Sequence, residues 1–281
     1  MKIFTTRFDI EQHLLQSRNA GKTIGFVPTM GALHQGHLSL ISQARQHNDE
    51  IVCSIFVNPT QFNDPKDLEK YPRTIEADIK LLEQAGCDVL FNPPVNEIYG
   101  GNDHWRLDIG ETEFLLEGKF RPGHYQGVMQ VVYKLFSIVK PDDAFFGQKD
   151  YQQFLVISKM VDHFKMPVKL VMCPIMREPD GLAMSSRNVH LTTSDRLHAL
   201  VLSRTLNWVR RNFNINDMLR LKSEAEQMIE AEEDVELDYF EIADGETLHP
   251  ATERSKTIVA LVAAKVGKTR LIDNVILTTD S

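Results

Sequence analysis

Two histidines three residues apart, His34 and His37, lie in the segment 28–37 (PTMGALHQGH). The segment follows a short apolar run that ends at Pro28, and a stretch with helical spacing begins near Gly36. Because the free N–H groups and the dipole of a helix amino terminus favour anions, this turn is typical of a phosphate-binding loop. An imidazole there can donate a hydrogen bond to a phosphoryl oxygen and stabilise developing charge. From this segment alone, a strand–helix turn with two surface histidines remains an alternative.

Uncharged polar side chains follow the next strand-like run, in the segment 56–62 (FVNPTQF). Asn58 and Gln61 each carry a donor and an acceptor, so they can orient hydroxyl groups or a carboxylate. An ordinary proline turn would explain the same residues.

A glycine and a lysine mark another strand–helix junction, in the segment 145–153 (FFGQKDYQQ). Gly147 allows a ligand to approach the backbone closely, and Lys149 offers a positive charge to a phosphate. Asp150 can accept hydrogen bonds from ribose hydroxyls, and Gln153 follows about one helical turn later. A capped helix with a solvated lysine is the alternative interpretation.

Two hydroxyls and an arginine occur together in the segment 177–188 (REPDGLAMSSRN). Ser185, Ser186 and Arg187 can clamp a polyphosphate, although a polar linker would have a similar composition. Two weaker candidates are the helix entry 121–128 (RPGHYQGV) and Asp78. Asp78 could help to bind a metal ion, but a lone aspartate on a helix is more simply a solvated carboxylate.

Alternating strands and helices in the first half of the chain would position these groups. The predicted strands span 23–28, 50–57, 88–91, 143–146 and 168–172, and the predicted helices span 36–46, 74–85, 125–139 and 150–164. This alternation predicts a doubly wound parallel α/β sheet. Since ligands of such sheets bind beyond the carboxyl ends of the strands, we expect the chemistry in the segments that follow Val27, Val57, Phe146 and Met172.

The pattern changes after about residue 176, where two helices (194–213 and 217–232) precede three strands (235–243, 256–264 and 269–277). Gly267 indicates a hairpin turn between the last two strands. This is an α+β pattern. We therefore predict two domains, 1–176 and 177–281.

Composition narrows the class of protein. The chain has 281 residues and a formal net charge of −8, which argues against a broad nucleic-acid-binding surface. Three scattered cysteines (Cys53, Cys87 and Cys173) predict buried free thiols rather than a zinc site or a disulfide framework. No signal-peptide core is visible, and no apolar run approaches the ~20 residues that span a bilayer. These features predict a cytoplasmic protein without a membrane partner.

Five segments in this order resemble the pantothenate synthetases, the pantoate–β-alanine ligase family. They are 28–37 (PTMGALHQGH), 56–62 (FVNPTQF), 71–74 (YPRT), 146–153 (FGQKDYQQ) and 180–188 (DGLAMSSRN). The resemblance implies a Rossmann-like amino-terminal domain, related to the class I aminoacyl-tRNA synthetases and nucleotidyltransferases, and a smaller carboxyl-terminal lid domain. The HQGH sequence resembles the H-x-G-H signature of that superfamily, and MSSR resembles its second, flexible signature.

The resemblance also implies a two-step reaction. Pantoate attacks the α-phosphorus of ATP to give pantoyl adenylate and pyrophosphate, and the amine of β-alanine then displaces AMP to give pantothenate. It further implies Mg²⁺ bridging the ATP oxygens, with Asp78 as a nearby carboxylate, and a homodimer formed through the amino-terminal domain.

Residue roles follow from the same resemblance. His37 would donate to phosphate oxygens with help from His34, and Lys149 would contact the phosphates. ATP would be bound by Met30, Gly31, Ala32, Leu33, His34, Gln35, Gly36, His37, Gly147, Gln148, Lys149, Asp150, Met176, Met184, Ser185, Ser186 and Arg187. Pantoate would be bound by Asn58, Gln61 and Gln153, and β-alanine would lie near Gln61. Gln148 stands where some members carry a glutamate, and we expect little effect.

Two other functions are compatible with parts of this pattern. A small adenylyl- or cytidylyltransferase would share H-x-G-H but would not need Asn58 and Gln61 beside Gln153. A nucleotide-sensing module would bind ATP without turnover.

Overall fold

The computed structural model describes residues 1–62, 65–101 and 105–277, and it divides into two units. The first comprises Met1–Phe114, Gly118–Gly147 and Gln153–Pro174. The second comprises Leu115–Glu117, Gln148–Gln152 and the chain from Ile175 onward. The division at residue 176 stays a prediction of two functional domains.

A six-stranded parallel sheet lies at the centre of the first unit. In the order in which they pair, its strands are β1 (Lys2–Phe4), β4 (Val89–Phe91), β3 (Glu50–Ile55), β2 (Ile24–Thr29), β5 (Asp143–Gly147) and β6 (Lys169–Cys173). All six residues of β3 are buried, as expected for a strand covered by helices on both faces. The predicted doubly wound α/β sheet is confirmed.

Helices pack on both faces of this sheet. The helices of this part of the chain are α1 (Arg7–Asn19), α2 (Gln35–Ala44), α3 (Pro65–Lys70), α4 (Ile75–Gln84), α5 (Val95–Tyr99), α6 (Glu117–Phe120), α7 (His124–Val139) and α8 (Tyr151–Phe164). Successive strand residues point to opposite faces, so Phe26 belongs to the core that includes Phe136 of α7. Val27 belongs to the other core, with Ile41 of α2 and Leu82 of α4.

The strand order reverses between β2 and β5. From β2 the sheet continues through β3 and β4 on one side, and through β5 and β6 on the other. In open α/β sheets the crevice at such a reversal, beyond the carboxyl ends of the strands, is where ligands bind. In the first unit this places Thr29 and Gly147, the last residues of β2 and β5, at the expected position.

The sequence predicts no element for residues 1–22, where the structure has β1 and α1. The strand has only three residues, and α1 buries only Ile10, Leu14 and Ser17, so the apolar pattern is weak. A helix predicted from Asp150 begins instead at Tyr151, after a 3₁₀ turn over Gln148–Asp150.

The second unit is an α+β unit, as predicted. Two helices, α9 (Thr193–Asn212) and α10 (Met218–Glu230), pack on an antiparallel sheet of β7 (Val235–Asp244), β8 (Ile258–Val266) and β9 (Thr269–Leu277). Gly267 has a φ of +55° in the turn between β8 and β9, which confirms the predicted hairpin.

A charged cluster joins the short stretch Leu115–Glu117 to the rest of the second unit. Arg270 on β9 donates two hydrogen bonds of 2.7 Å to the Glu117 carboxylate and one of 2.6 Å to Asp238. Although burial lowers it, the hydrogen bonds and charges of these two carboxylates raise the pKa of Arg270 above its ordinary value. Tyr239 also donates to Glu117, at 3.0 Å.

The three cysteines are buried free thiols, as predicted. Burial raises the pKa of Cys87 to about 12 and that of Cys173 to about 11, so these thiols are poor nucleophiles. Among the described residues, no helix is both long and apolar enough to cross a lipid bilayer.

Candidate active site

The loop between β2 and α2 carries the two histidines that the sequence singles out. His34 is the N-cap of α2, and its Nδ1 accepts a hydrogen bond of 3.1 Å from the Gly36 N–H. The Nδ1 of His37 accepts a bond of 3.3 Å from the His34 N–H, and the two ring centroids are 4.0 Å apart. A neutral imidazole that accepts at Nδ1 carries its proton on Nε2. The backbone therefore selects the tautomer in which Nε2 is the donor in both rings.

Asp78 on α4 holds the same loop in place. Its carboxylate accepts hydrogen bonds from the backbone N–H groups of Leu33 (2.8 Å) and Ala32 (3.1 Å), and from the Thr74 hydroxyl. Gly31 passes beside it with a φ of +84°, and a Cβ there would lie 3.0 Å from Asp78 Oδ2 and 2.9 Å from the Ile55 side chain. Asp78 thus explains both the path of the loop and its need for glycine.

These contacts do not fit Asp78 as the metal-binding carboxylate predicted from the sequence. Asp78 is 1% exposed, and both of its oxygens already accept hydrogen bonds. Mg²⁺ requires oxygen ligands that are open to it and usually keeps several waters. Throughout residues 1–62, 65–101 and 105–277, no group of three or more histidine, cysteine or acidic side chains could hold a metal ion.

Gln61 lies beside the β2–α2 loop. Its Nε2 donates to the Met30 sulfur at 3.0 Å, and its Oε1 accepts from Asn58 at 3.1 Å. A thioether sulfur is a weak hydrogen-bond acceptor. A stronger acceptor can therefore replace the Met30 sulfur as the partner of Gln61 Nε2. The structure therefore brings together Met30 and Gln61, two residues from different predicted motifs.

Asn58 is 1% exposed and its amide is fully used within the protein. It donates to Gln61 and to the Gly127 carbonyl (3.1 Å), and its oxygen accepts from Thr60 and from the Tyr99 hydroxyl (2.8 Å). These contacts fit a residue that orients Gln61 better than one that itself contacts pantoate.

Helix α7 packs against the turn that carries Asn58 and Gln61, through residues that the sequence predicts only weakly as part of a site. His124 Nδ1 lies 2.8 Å from the Gln61 carbonyl oxygen. A Cβ on Gly127 would lie 2.4 Å from the Thr60 carbonyl oxygen, so only glycine allows the helix to approach so closely. Both residues belong to the weak candidate segment 121–128, and the isolated glycine inside a helical pattern is the signal that marks the contact.

Gly147 and Gln153 complete the predicted site residues of the first unit. A Cβ on Gly147 would meet no atom within 4 Å, so the space beside this backbone is open, as the prediction of a close ligand requires. Gln153 is half-buried in the first turn of α8. Within the described part of the chain its amide makes no hydrogen bond to protein.

Gln148, Lys149 and Asp150 form a 3₁₀ turn in the second unit, and Asn274 of β9 holds it. The Asn274 amide donates to the carbonyl oxygens of both Gln148 and Lys149, each at 3.0 Å, and accepts from Gln148 Nε2 at 3.0 Å. The Lys149 side chain is 20% exposed, and its ammonium lies 3.8 Å from Asp150 Oδ1.

The neighbouring Asp273 holds the segment that leads to the predicted phosphate clamp. Its carboxylate accepts hydrogen bonds of 2.7 and 3.0 Å from Arg177, which also donates to the Gly181 carbonyl. Burial raises the pKa of Asp273, and the Arg177 guanidinium opposes that shift. The polar pair Asp273–Asn274, buried in an otherwise largely apolar strand, is the sequence signal for both contacts.

The remaining predicted ATP residues also lie in the second unit. The Met184 N–H donates to the Met176 carbonyl at 3.0 Å, so these two methionines flank a hairpin-like turn. Ser185 caps a 3₁₀ turn that begins at Ser186, by accepting from the Arg187 N–H at 3.2 Å. A small cavity is lined by Lys149, Ser185 and Asp273 among others, so the structure brings the lysine turn close to the serine segment.

Comparison with known proteins settles the family. A family model described as pantoate-beta-alanine ligase matches residues 2–276. The chain belongs to the pantoate–β-alanine ligase family. The resemblance inferred from the five motifs is thereby confirmed.

Individual relatives agree with this assignment over their whole length. The pantothenate synthetase of Thermotoga petrophila is 48% identical over 280 residues, covering 99% of this chain and all of the relative. That of Pseudomonas fluorescens (strain SBW25) is 48% identical over 284 residues, covering both chains fully.

Solved structures of two such enzymes share the fold. The crystal structure of pantothenate synthetase from Thermus thermophilus is 40% identical with a TM-score of 0.91, over 99% of this chain and all of that one. Pantoate-beta-alanine ligase from Francisella tularensis, solved in complex with beta-gamma ATP and beta-alanine, is 36% identical with a TM-score of 0.80, and both chains are fully covered. The Rossmann-like fold with a smaller α+β carboxyl-terminal part is confirmed.

Proposed function

We propose that this chain condenses pantoate with β-alanine at the expense of ATP, giving pantothenate, AMP and pyrophosphate through a pantoyl-adenylate intermediate. The observation that carries the proposal is the β2–α2 loop, in which backbone N–H groups hold Nδ1 of two imidazoles at a helix amino terminus, in a member of this ligase family. A helix terminus with two added donors suits a triphosphate.

In the first step, a carboxylate oxygen of pantoate attacks the α-phosphorus of ATP, and the bond to the β-phosphate oxygen breaks. Negative charge then develops on the α-phosphoryl and pyrophosphate oxygens. His37, assisted by His34, donates hydrogen bonds to these oxygens, and Lys149 supplies a positive charge. Catalysis of this step consists mostly of positioning and charge stabilisation, as in phosphoryl transfer in general.

In the second step, the amine of β-alanine attacks the acyl carbon and AMP leaves. Because AMP is a far better leaving group than the oxide of a free carboxylate, the amide can form at neutral pH. Gln61 and Gln153 bind pantoate in this proposal, Gln61 also lies near β-alanine, and Asn58 acts by orienting Gln61.

The family resemblance supports the other ATP contacts of this proposal. They are residues 30–37, Gly147, Gln148, Asp150, Met176 and residues 184–187. Residues 1–176 act as the nucleotide- and pantoate-binding domain, and residues 177–281 as a lid. Mg²⁺ arrives as Mg-ATP, bound through phosphate oxygens.

We further propose that the chain works as a homodimer in the cytoplasm. The family resemblance supports the dimer, and the acidic composition with three free cysteines supports the location. Sedimentation velocity of the purified protein tests the dimer: a single species near 32 kDa would contradict it.

The activity is tested by AMP formation with purified protein. Under multiple-turnover conditions, we expect AMP only when pantoate, β-alanine and Mg-ATP are all present. Pantothenate should form in the same amount as AMP. Absence of AMP above the no-enzyme background would refute the proposal.

Isotope exchange between pyrophosphate and ATP separates this reaction from the two other candidate functions. We expect exchange that requires pantoate and does not require β-alanine. Exchange with a nucleotide-accepting substrate but not with pantoate would indicate a nucleotidyltransferase. ATP binding in calorimetry without exchange would indicate a sensing module.

A further inference from the structure

The turn that carries Lys149 is held by one buried side chain. Asn274 is 2% exposed, and the hydrogen bonds of its side-chain amide go to Gln148 and Lys149. Both hydrogens of its Nδ2 are used on two consecutive carbonyl oxygens, and its Oδ1 accepts from the Gln148 side chain. Two carbonyls fixed by one rigid amide leave little freedom in the peptide from which the lysine side chain extends.

A lysine needs such support more than an arginine does. Its charge sits at the end of a flexible four-carbon stem, so a fixed position costs rotamer entropy, whereas the planar fork of an arginine is pre-organised. The ion pair between the Lys149 ammonium and Asp150 is long, at 3.8 Å, and Asp150 is exposed. Asn274 holds the backbone from which this stem extends, so it fixes the point where the lysine side chain begins.

Asp273, the neighbour of Asn274 on β9, holds a second segment of this unit. Asp273 holds Arg177 and, through it, the turn at Gly181 that precedes Ser185. The lysine turn and the serine segment are thus fixed to adjacent residues of β9. Since Lys149 and Ser185 line one cavity, β9 sets the spacing between the two predicted phosphate-binding elements of the second unit.

We propose that Asn274 is a positioning residue for adenylate formation, acting through the Gln148–Lys149 turn to place the lysine ammonium against the phosphates. This inference rests on the proposed function, because Lys149 has a phosphate to meet only if ATP is the substrate. It also gives Gln148 a specific part, since a glutamate at that position could not donate to the Asn274 oxygen.

The test uses Asn274→Asp, which keeps the side-chain volume but replaces both donors by a carboxylate that faces two carbonyl oxygens. We expect at least a tenfold lower rate of pantoate-dependent pyrophosphate–ATP exchange and an increased KM for ATP. The KM for β-alanine should stay within twofold, because β-alanine enters after the phosphates have reacted. Asn274→Ala, which removes the amide without adding charge, serves if Asn274→Asp does not fold.

A double-variant cycle with Lys149→Met shows whether Asn274 acts through the lysine. If it does, the Asn274 substitution causes little further loss once Lys149 is absent, because contacting residues of one network are not additive. An equal fold-loss in both backgrounds would overturn the proposal, and so would an Asn274→Asp variant that exchanges at the wild-type rate.

Val266→Ala provides the matched control for stability. Val266 is fully buried in β8 and pairs with Thr269 at the hairpin end of β9, away from Asp273 and Asn274. We expect this variant to melt at a lower temperature but to keep its exchange rate at room temperature. If the wild-type protein itself shows no pantoate-dependent exchange, the proposed function fails. If the wild type exchanges and Asn274→Asp exchanges equally fast, only the role of Asn274 fails.

Discussion

At the residue scale, the two imidazoles of the β2–α2 loop are oriented by the backbone. Each Nδ1 accepts a backbone N–H, at 3.1 Å for His34 and 3.3 Å for His37. A ring held in this way stays a donor at Nε2 without needing a carboxylate behind it. The same contacts cap the helix, so the residues that face the nucleotide in our proposal also define where α2 begins.

His37→Ala should remove one donor from the transition state of adenylate formation. We expect a loss of roughly 2–4 kcal/mol, by analogy with the loss of one oxyanion-hole donor, seen as a fall in kcat of exchange. His47→Ala, at an exposed histidine beyond the other end of α2, is the control and should exchange at the wild-type rate. Unchanged turnover in His37→Ala would remove His37 from the mechanism.

Residue types and their order in the chain predicted which segments carry polar chemistry, but not how each side chain is used. Asn58 and Asp78 have the types expected of substrate and metal ligands, yet in the structure both are buried and bonded to protein. Their partners, such as Gly127 and Leu33, are distant in sequence and become neighbours only through packing. Asn274 was missed for the same reason, since it lies 125 residues from Lys149.

At the element scale, the helix α7 positions the Asn58–Gln61 turn by close packing. Gly127 allows the helix backbone to contact the turn, and Asn58 Nδ2 donates to the Gly127 carbonyl. The central strands and long helices were predictable because their apolar residues repeat with a clear period. The sequence did not predict the three-residue β1 or the short helices α3 and α5. Elements with so few residues are too short to show a hydrophobic period.

Gly127→Ala should displace the turn that carries Gln61. The new Cβ would lie 2.4 Å from the Thr60 carbonyl oxygen and 2.9 Å from Gln61 Cα, and backbone atoms cannot rotate away as a side chain can. We expect a loss of stability of about 1–3 kcal/mol, typical of an overpacked site, together with an increased KM for pantoate. Ser137→Ala on the same helix is the control. A variant with wild-type KM for pantoate would show that the packing of α7 does not position Gln61.

At the scale of the whole molecule, several carboxylates in both units are stabilised in their charged form. Hydrogen bonds from the backbone and hydroxyl of Thr23 lower the pKa of Asp49, and those of Thr192 lower the pKa of Asp195. Burial raises the pKa of Glu50, but the polar side chains of Ser17 and His13 outweigh it and lower the pKa below its ordinary value. A carboxyl with a lowered pKa stabilises the folded state above its unfolded pKa, and this contribution is lost as the pH falls through the folded value.

Glu50→Gln tests this dependence at a carboxylate that is itself buried. Glu50 is 5% exposed and lies 2.9 Å from His13 Nε2, so we expect the variant to be less stable than wild type at neutral pH by about 1–2 kcal/mol. The difference should shrink as the pH falls below about 4, near the ordinary value for glutamate, because wild-type Glu50 then takes up a proton. Thermal midpoints of both proteins, measured from neutral pH down to about pH 3, follow this change.

Glu11→Gln, which removes a partly exposed i,i+4 pair with Arg7, should change the midpoint little at any pH. A Glu50→Gln difference that stays constant over the whole acidic range would contradict a stabilising charge at this site.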